Sequence, residues 1–372
     1  MIYLDNSSTT KIDRRVFDAM KPYFYDFFGN PDGKYYEIAE SAKTAVENAR
    51  KKISEFLGCN VDEVFFNSGA TEGNNTVIKG IVDKYQSKGN HIITTSVEHS
   101  SVYNTCKYLE TKGIKVDYLP VNSECEIDLE LLEQLITDKT ILVSIMWVNN
   151  EVGTIFPIKE IAKICKKKGV LFHSDATQAI GKIKIDLSVY EGLNFVTFSG
   201  HKIYGPKGIG VLISRKDELG FHVPITPLIH GGEQERGLRS GTLNVPGIVG
   251  IGEACNILNE HIDEYIEKLI VFEKILVERL IEKFNSNIEI NNNFSKVPGI
   301  INIRFKNINN QILLKKISPY IAASTGSACS NLKPSRVLLA MGYSMKAVTE
   351  SVRFSLSPHN TLEELNNIIK IL

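Results

Sequence analysis

Phe198-Ser199-Gly200-His201-Lys202-Ile203-Tyr204-Gly205-Pro206-Lys207-Gly208 follows an apolar run, Leu193 to Phe198, that reads as a buried strand opening into a Gly/Pro-rich turn. A lysine at such a strand end lies near low-dielectric surroundings, where its ammonium is disfavoured and its pKa can fall. A neutral amine there can form a Schiff base with a carbonyl cofactor. The plain alternative is a solvated lysine at the end of a strand, so the weight of Lys202 rests on what lies upstream.

Upstream, strands and helices alternate. Val64-Phe65-Phe66, Ile92-Ile93-Thr94, Val116 to Leu119, Ile141 to Val148, Val170-Leu171-Phe172 and Phe195 to Phe198 read as strands. Several are continuously apolar, as parallel strands covered on both faces tend to be. A helical period over residues 36–57 ends at Gly58, and Ile158–Lys168 is a further helical segment. This pattern predicts an open α/β sheet whose ligands sit beyond the carboxyl ends of the strands. After Gly252 the character changes: residues 254–284 are a long amphipathic segment, Ile300 to Phe305 and Val352 to Leu356 are strand-like, and Thr361 with Glu364 form a capping-box pattern for a last helix. A boundary near residue 255 gives two units, 12–255 and a smaller α+β unit of 1–11 with 256–372.

Composition excludes several classes. Lys+Arg and Asp+Glu both number 43 in 372 residues, so no net field favours nucleic acid or anionic membranes. The six cysteines show no C-x-x-C pair and suggest neither a disulfide framework nor a metal site. The start, Met1-Ile2-Tyr3-Leu4-Asp5, lacks a signal-peptide layout, and no apolar run approaches the ~20 residues of a membrane helix. A reducing, cytoplasmic setting is expected.

Four stretches at strand ends can carry chemistry. Asn67-Ser68-Gly69-Ala70-Thr71-Glu72-Gly73-Asn74 can cradle a phosphate at a helix N-terminus, or be an ordinary capped turn. His99 follows the Ile92–Thr95 strand; a lone histidine is more often structural. Asn149-Asn150-Glu151-Val152-Gly153 offers consecutive amides for a turn or a ligand contact. In Phe172-His173-Ser174-Asp175-Ala176-Thr177-Gln178 an acid ends a buried strand, where it can hold a protonated pyridine nitrogen or simply cap the next helix. A phosphate cup, a ring-side histidine, an acid for a pyridinium and a Schiff-base lysine are together the parts that pyridoxal phosphate (PLP) needs.

In this order the chain resembles the class V aminotransferase branch of PLP enzymes, and more narrowly the NifS/IscS-type cysteine desulfurases. The resemblance runs from Tyr3-Leu4-Asp5-Asn6 through Ser68-Gly69-Ala70-Thr71-Glu72, Val97-Glu98-His99, Asp175-Ala176-Thr177-Gln178 and Ser199-Gly200-His201-Lys202. It continues to Arg239-Ser240-Gly241-Thr242, Gly326-Ser327-Ala328-Cys329-Ser330 and Val352-Arg353-Phe354-Ser355-Leu356. It implies PLP fold type I, with residues 12–255 as the PLP-binding domain. Lys202 would carry the cofactor as a Schiff base, Asp175 would pair with the pyridinium, Gln178 would bond the ring oxygen, and His99 would stack on the ring and assist proton transfer. Ala70, Thr71, Ser199 and His201 would bind the phosphate, with Thr242 from the second subunit of a homodimer. Asn150 and Arg353 would hold the substrate carboxylate. A planar arginine fork suits that role, and strand alternation turns Arg353 away from Val352, Phe354 and Leu356.

Cys329 selects the reaction that the resemblance implies. Its thiol, on a small-residue loop from Gly326 to Lys333, would take sulfur from L-cysteine, leaving alanine and a persulfide for an acceptor protein. Pro334 is expected to start a helix ending near Gly342. The family pattern is not kept throughout. Ser7-Ser8 stand where alanines are usual, Asp32 to Tyr36 replace small residues and a histidine, and Gly231-Gly232-Glu233 replaces a triple glycine. The loop from Cys329 to Pro334 is about two residues shorter than in iron–sulfur-assembly desulfurases, which removes up to ~7 Å of reach. That points to a specialised acceptor, with DNA phosphorothioation or tRNA thiolation beside iron–sulfur assembly, and balanced charge argues against tight DNA binding by this chain. Aminotransfer or selenocysteine lyase chemistry on the same scaffold needs Lys202 and Asp175 without the thiol. A non-catalytic scaffold for sulfur carriers needs none of them.

Overall fold

The computed structural model describes residues 1–292, 294–326 and 334–372; Cys329 and its loop lie outside the described residues. A seven-stranded sheet runs in the spatial order Val64–Asn67, Gly210–Ser214, Phe195–Ser199, Leu171–Asp175, Thr140–Ser144, His91–Thr95, Lys115–Leu119. All neighbours are parallel except Gly210–Ser214, which is antiparallel to both of its neighbours. That strand was not among those expected, although its Ile209 to Ile213 run is apolar; it is the return leg of the Lys202 turn.

Alternation along the strands sorts the core. Phe65, Ile92, Leu142, Phe195 and Leu212 face Val77, Ile78 and Ile81 of the Ala70–Tyr85 helix and Val102, Cys106 and Leu109 of the Ser100–Glu110 helix. Val64, Phe66, Ile93, Val143, Val196, Phe198 and Val211 face the opposite layer, which includes the Glu37–Leu57, Ile158–Lys168 and Val245–Phe284 helices. Each such fully buried side chain contributes roughly 1.5–3 kcal/mol, and burial on both faces explains why these strands carry so few polar residues.

Three boundaries differ from expectation. The Ile141–Val148 run is regular only over Thr140–Ser144, because its partner strand ends at Thr95. Ile145 and Trp147 continue to donate to the carbonyls of His173 and Asp175 of the adjoining strand, and the Trp147 carbonyl accepts from the Phe156 amide. The long helix begins at Val245 rather than 254, with Asn244 capping it and Pro246 in its first turn. Its glycines are packing residues: a Cβ on Gly252 would lie 2.6 Å from Ala49 Cβ of the neighbouring helix. Pro334 does not start a helix; Ser335 caps Arg336–Ala340 by accepting from the Leu338 amide.

A second apolar cluster joins the distal half of the long helix (Leu269, Phe272, Leu276, Leu280) to Ile2, Leu4, Ile301, Ile303, Val352, Phe354 and Leu365. Here Ser351–Ser355, Ile300–Phe305 and Ile288–Ile290 form an antiparallel sheet, and Ile2–Tyr3 pairs in parallel with Ile321–Ala322. The final helix, Leu362–Ile371, has the expected Thr361/Glu364 capping box. Among the described residues no helix is long and apolar enough to cross a membrane.

Candidate active site

The carboxyl ends of the parallel strands open onto a cavity of about 650 Å³. Lys202, Asp175, Gln178, His99, Ala70, Thr71, Ser199, His201, Asn150 and Arg353 all contribute to its wall. Thr242 does not; it is exposed on a different part of the chain.

The cup at the start of the Ala70–Tyr85 helix is built by glycines. Gly69, its N-cap, has φ +154 and ψ 169, a conformation closed to other residues. Gly210 lets the antiparallel strand pass so close that a Cβ there would sit 2.5 Å from Gly69 Cα. The Ser199 hydroxyl reaches this N-terminus and accepts from the Ala70 amide at 2.7 Å. First-turn amides, the hydroxyl and the helix dipole together make a site for an anion.

Lys202 lies just past its strand, in the turn Gly200–Lys202, and its Nζ donates to the carbonyls of Ser7 (2.5 Å) and Ser8 (2.6 Å). His201 donates or accepts at Thr9 Oγ1, 3.1 Å from its Nδ1; burial, and then the charge of Lys202, lower its pKa to about 4, so the ring is neutral. The polar N-terminal segment is therefore part of the site wall, which its sequence did not signal.

Asp175 is 5% exposed. Its Oδ1 accepts from the Thr177 amide at 3.0 Å, but no helix follows, so it is not a helix cap. Its Oδ2 accepts from Asn74 Nδ2 at 2.7 Å. Asn74 is a hub: the same nitrogen donates to Ser101 Oγ at 2.8 Å, and its Oδ1 accepts from Thr197 Oγ1. With the Thr197 proton committed there, the contact of 3.2 Å between Thr197 Oγ1 and His173 Nε2 assigns that ring proton to Nε2. His173 Nδ1 then accepts from Ser144 Oγ at 2.8 Å. On the other branch the Ser101 amide donates to His99 Nδ1 at 3.2 Å, with Ser101 Oγ 2.9 Å away. His99 thus caps the Ser100–Glu110 helix and also faces the cavity, and burial lowers its pKa so that it is neutral at pH 7. Asn74 sits four residues after Ala70, on the helix face turned to the sheet; a buried amide there was the available signal.

The two asparagines after the Thr140–Ser144 strand divide the roles expected of the pair. Asn149 Oδ1 accepts from the Glu151 and Val152 amides and shapes the turn, whereas Asn150 lines the cavity. Arg353, 1% exposed, donates to the carbonyls of Asn150 (2.8 Å) and Gly326 (2.7 Å), and to Asp5 Oδ1 (2.7 Å), Ser8 Oγ (2.8 Å) and Ser324 Oγ (3.0 Å). Two buried acids flank this side. Burial raises the Glu98 pKa to about 8, and Glu151, also raised by burial, accepts from Ser335 Oγ at 2.5 Å. Arg336, which was not singled out, lies over the Tyr103 ring at 3.8 Å and donates to the carbonyls of Ser96 and Glu98.

The donor set fits PLP: a site for its phosphate, a buried carboxylate for a pyridinium, and a lysine in one cavity. Ser7 Oγ and Thr177 Oγ1, both on the cavity wall, are buried without a partner among the described residues, as hydroxyls awaiting a polar ligand would be.

Comparison with known proteins agrees with this geometry. "Cysteine desulfurase IscS" of Rickettsia typhi is 43% identical over 386 residues, covering 100% of this chain and 90% of that one. A solved "NifS-like protein" superposes with a TM-score of 0.92 at 39% identity, covering 99% of this chain and 97% of the other. "SspA in complex with cysteine" does so with a TM-score of 0.85 at 35% identity, covering 97% and 100%. The fold is therefore PLP fold type I. Matching the aminotransferase class-V family over residues 2–368, the chain belongs to that PLP-dependent family.

Proposed function

We propose that the chain is a PLP-dependent cysteine desulfurase, which converts L-cysteine to alanine and leaves the sulfur as a persulfide on Cys329 for an acceptor protein. The observation that carries this reading is the meeting of Lys202, Asp175, the Ala70 helix start and Arg353 in one cavity. When bound, PLP supplies an electron sink that weakens bonds at the substrate's α and β carbons.

The chain's own residues do the rest. Asp175, oriented by Asn74, holds the pyridinium proton. The Ala70 and Thr71 amides, Ser199 and His201 hold the phosphate, and Gln178 faces the ring oxygen. Arg353 and Asn150 hold the substrate carboxylate. Neutral His99 stacks on the ring and assists proton transfer, and the Lys202 amine moves the α-proton. The substrate Cβ–S bond breaks, an S–S bond to the Cys329 thiolate forms, and Cβ takes a proton. Burial supports that choice of thiol: Cys59, Cys106, Cys125 and Cys165 are each pushed up to about 12, and Cys255 is raised further in the same way, so none supplies a thiolate at neutral pH.

In this reading Thr242, exposed and outside its own chain's cavity, serves the site of a second subunit in a homodimer. A separate apolar cluster drawn only from Ile2, Leu4 and residues between Leu269 and Ile368 supports a small unit within 1–11 and 256–372 beside 12–255, although Ile257, Val297, Ile300, Val337 and Val348 pack with the larger cluster. A reducing, cytoplasmic setting is supported by the five described cysteines being free thiols. Purified protein should be yellow and release alanine from L-cysteine. Cys329→Ser should stay yellow and form no persulfide; full sulfur transfer by that variant would overturn the role of Cys329.

A further inference from the structure

A primary amide such as Gln178 can face a ligand with either its oxygen or its nitrogen, and the two are opposite in hydrogen-bonding sense. Here its orientation is set from both sides. Its Nε2 donates to the Ser7 carbonyl at 2.8 Å, and its Oε1 accepts from Lys182 Nζ at 3.0 Å. Flipping the amide would oppose two acceptors at Ser7 in any state and, with the Lys182 amine protonated, two donors at Lys182. One Nε2 proton is used on Ser7; the second is the one left for a group in the cavity that Gln178 lines.

Lys182 is half-buried as a residue, but its amine reaches inward, and a small space of the interior lies between it and Lys202. Among the described residues no carboxylate lies within ion-pair distance of Lys182. The neighbouring charges are cations: burial, then Lys202 and Arg353, lower its pKa to about 7. A lysine in such a place has no ion pair to make, and a solvated position would suit it better. Its bond to Gln178 Oε1 survives in either protonation state, because both forms of the amine carry donors.

Resting on the PLP reading above, we propose that Lys182 is a positioning residue for the cofactor ring: it holds the Gln178 amide so that an N–H, and not the carbonyl, meets the ring oxygen. A donor at that oxygen stabilises its deprotonated form, which lowers the proton affinity of the cofactor's visible chromophore. Lys182 itself does not touch the ring.

The test uses the holoenzyme and two variants, Lys182→Met and Lys182→Arg. Lys182→Met removes the donor and leaves Gln178 free to flip. The pH midpoint of the visible absorption band should rise by about half a unit or more, since a lost donor and a lost neighbouring cation act in the same direction. Apoenzyme titrated with PLP should bind about tenfold more weakly, as expected for one hydrogen bond to a charged group. Lys182→Arg, which keeps both donor and charge, should return the midpoint and the affinity towards wild type. A Lys182→Met protein whose midpoint and affinity match wild type overturns the proposal, and so does one that loses only thermal stability. A wild-type protein with no visible band defeats the cofactor reading instead, so the two failures are distinguishable.

Discussion

Arg353 Nη2 lies 2.7 Å from Asp5 Oδ1, joining the strand assigned to the substrate carboxylate to the opposite end of the chain. The guanidinium is almost fully buried; Nη1 donates to two carbonyls, Nη2 also reaches two hydroxyls, and Nε is buried without a partner among the described residues. In the proposed function, a substrate carboxylate held by Arg353 would sit near the Asp5 carboxylate already paired with it. Asp5→Asn keeps a polar partner but removes the like charge, so the KM for L-cysteine should fall about threefold, a modest electrostatic effect, with kcat retained. Arg353→Lys, which loses the planar fork, should raise KM by about 10–100-fold, the equivalent of one charge-assisted bond. An Asp5→Asn enzyme with a higher KM would show that Asp5 assists binding.

Asn74 is the joint between Asp175 and both histidine branches. Asn74→Leu leaves the Asp175 carboxylate without a hydrogen bond on its Oδ2 and should weaken PLP binding about tenfold or more. The His99 contact to Ser101 should loosen with it, so kcat should fall further than cofactor saturation explains. Equilibrium titration of apoenzyme with PLP, followed by kinetics at saturating PLP, separates the two effects.

Most of this site can be read from residues that end strands, because a parallel sheet forces their loops to one edge. Lys202, Asp175, His99 and the Ala70-Thr71 cup follow from that rule and from residue type. What could not be read is contact across long separations in the chain. Ser7 and Ser8 meet Lys202 nearly two hundred residues away, and Asp5 meets Arg353 from the other end. Lys182 looks like a surface lysine in a turn, and only tertiary packing turns its amine inward. The long helix starts earlier than expected for a similar reason: its Gly250 and Gly252 lie where Met20 and Ala49 of neighbouring helices come too close for a side chain.

The same close-approach logic separates two glycines. A Cβ on Gly210 would meet Gly69 Cα at 2.5 Å and Asn67 Oδ1 at 2.7 Å, both parts of the cup proposed to hold the phosphate. Gly210→Ala should destabilise the fold by about 1–3 kcal/mol, as overpacking does, and weaken PLP binding several-fold without touching the ligand. Gly113 has φ +86 and open space around it. Gly113→Ala should lower the Tm through backbone strain of about 1 kcal/mol and leave PLP affinity unchanged. Equal affinity losses in the two variants would mean that the Gly210 effect is only a loss of stability.

His173 ties the network behind Asp175 to pH. Its imidazole is fully buried, with Nε2 donating to Thr197 Oγ1 and Nδ1 accepting from Ser144 Oγ, and burial lowers its pKa to about 4, partly opposed by the charge of Asp175. In the unfolded chain a histidine titrates near 6.5. Above that value both states hold the ring neutral, and its contribution is fully present. Between about 6.5 and about 4 the unfolded chain binds the proton and the folded one does not, so stability falls as the pH drops, by at most about 3 kcal/mol from this group. Protonation would also reverse Nδ1 from acceptor to donor and disturb the Thr197–Asn74–Asp175 line. Urea denaturation of the apoenzyme at pH 7, 5.5 and 4.5 should show this decline, and His173→Asn, less stable at pH 7, should decline less steeply. Parallel curves for the two proteins would assign the acid sensitivity to other groups, with His201, whose pKa is also lowered to about 4, the next to replace.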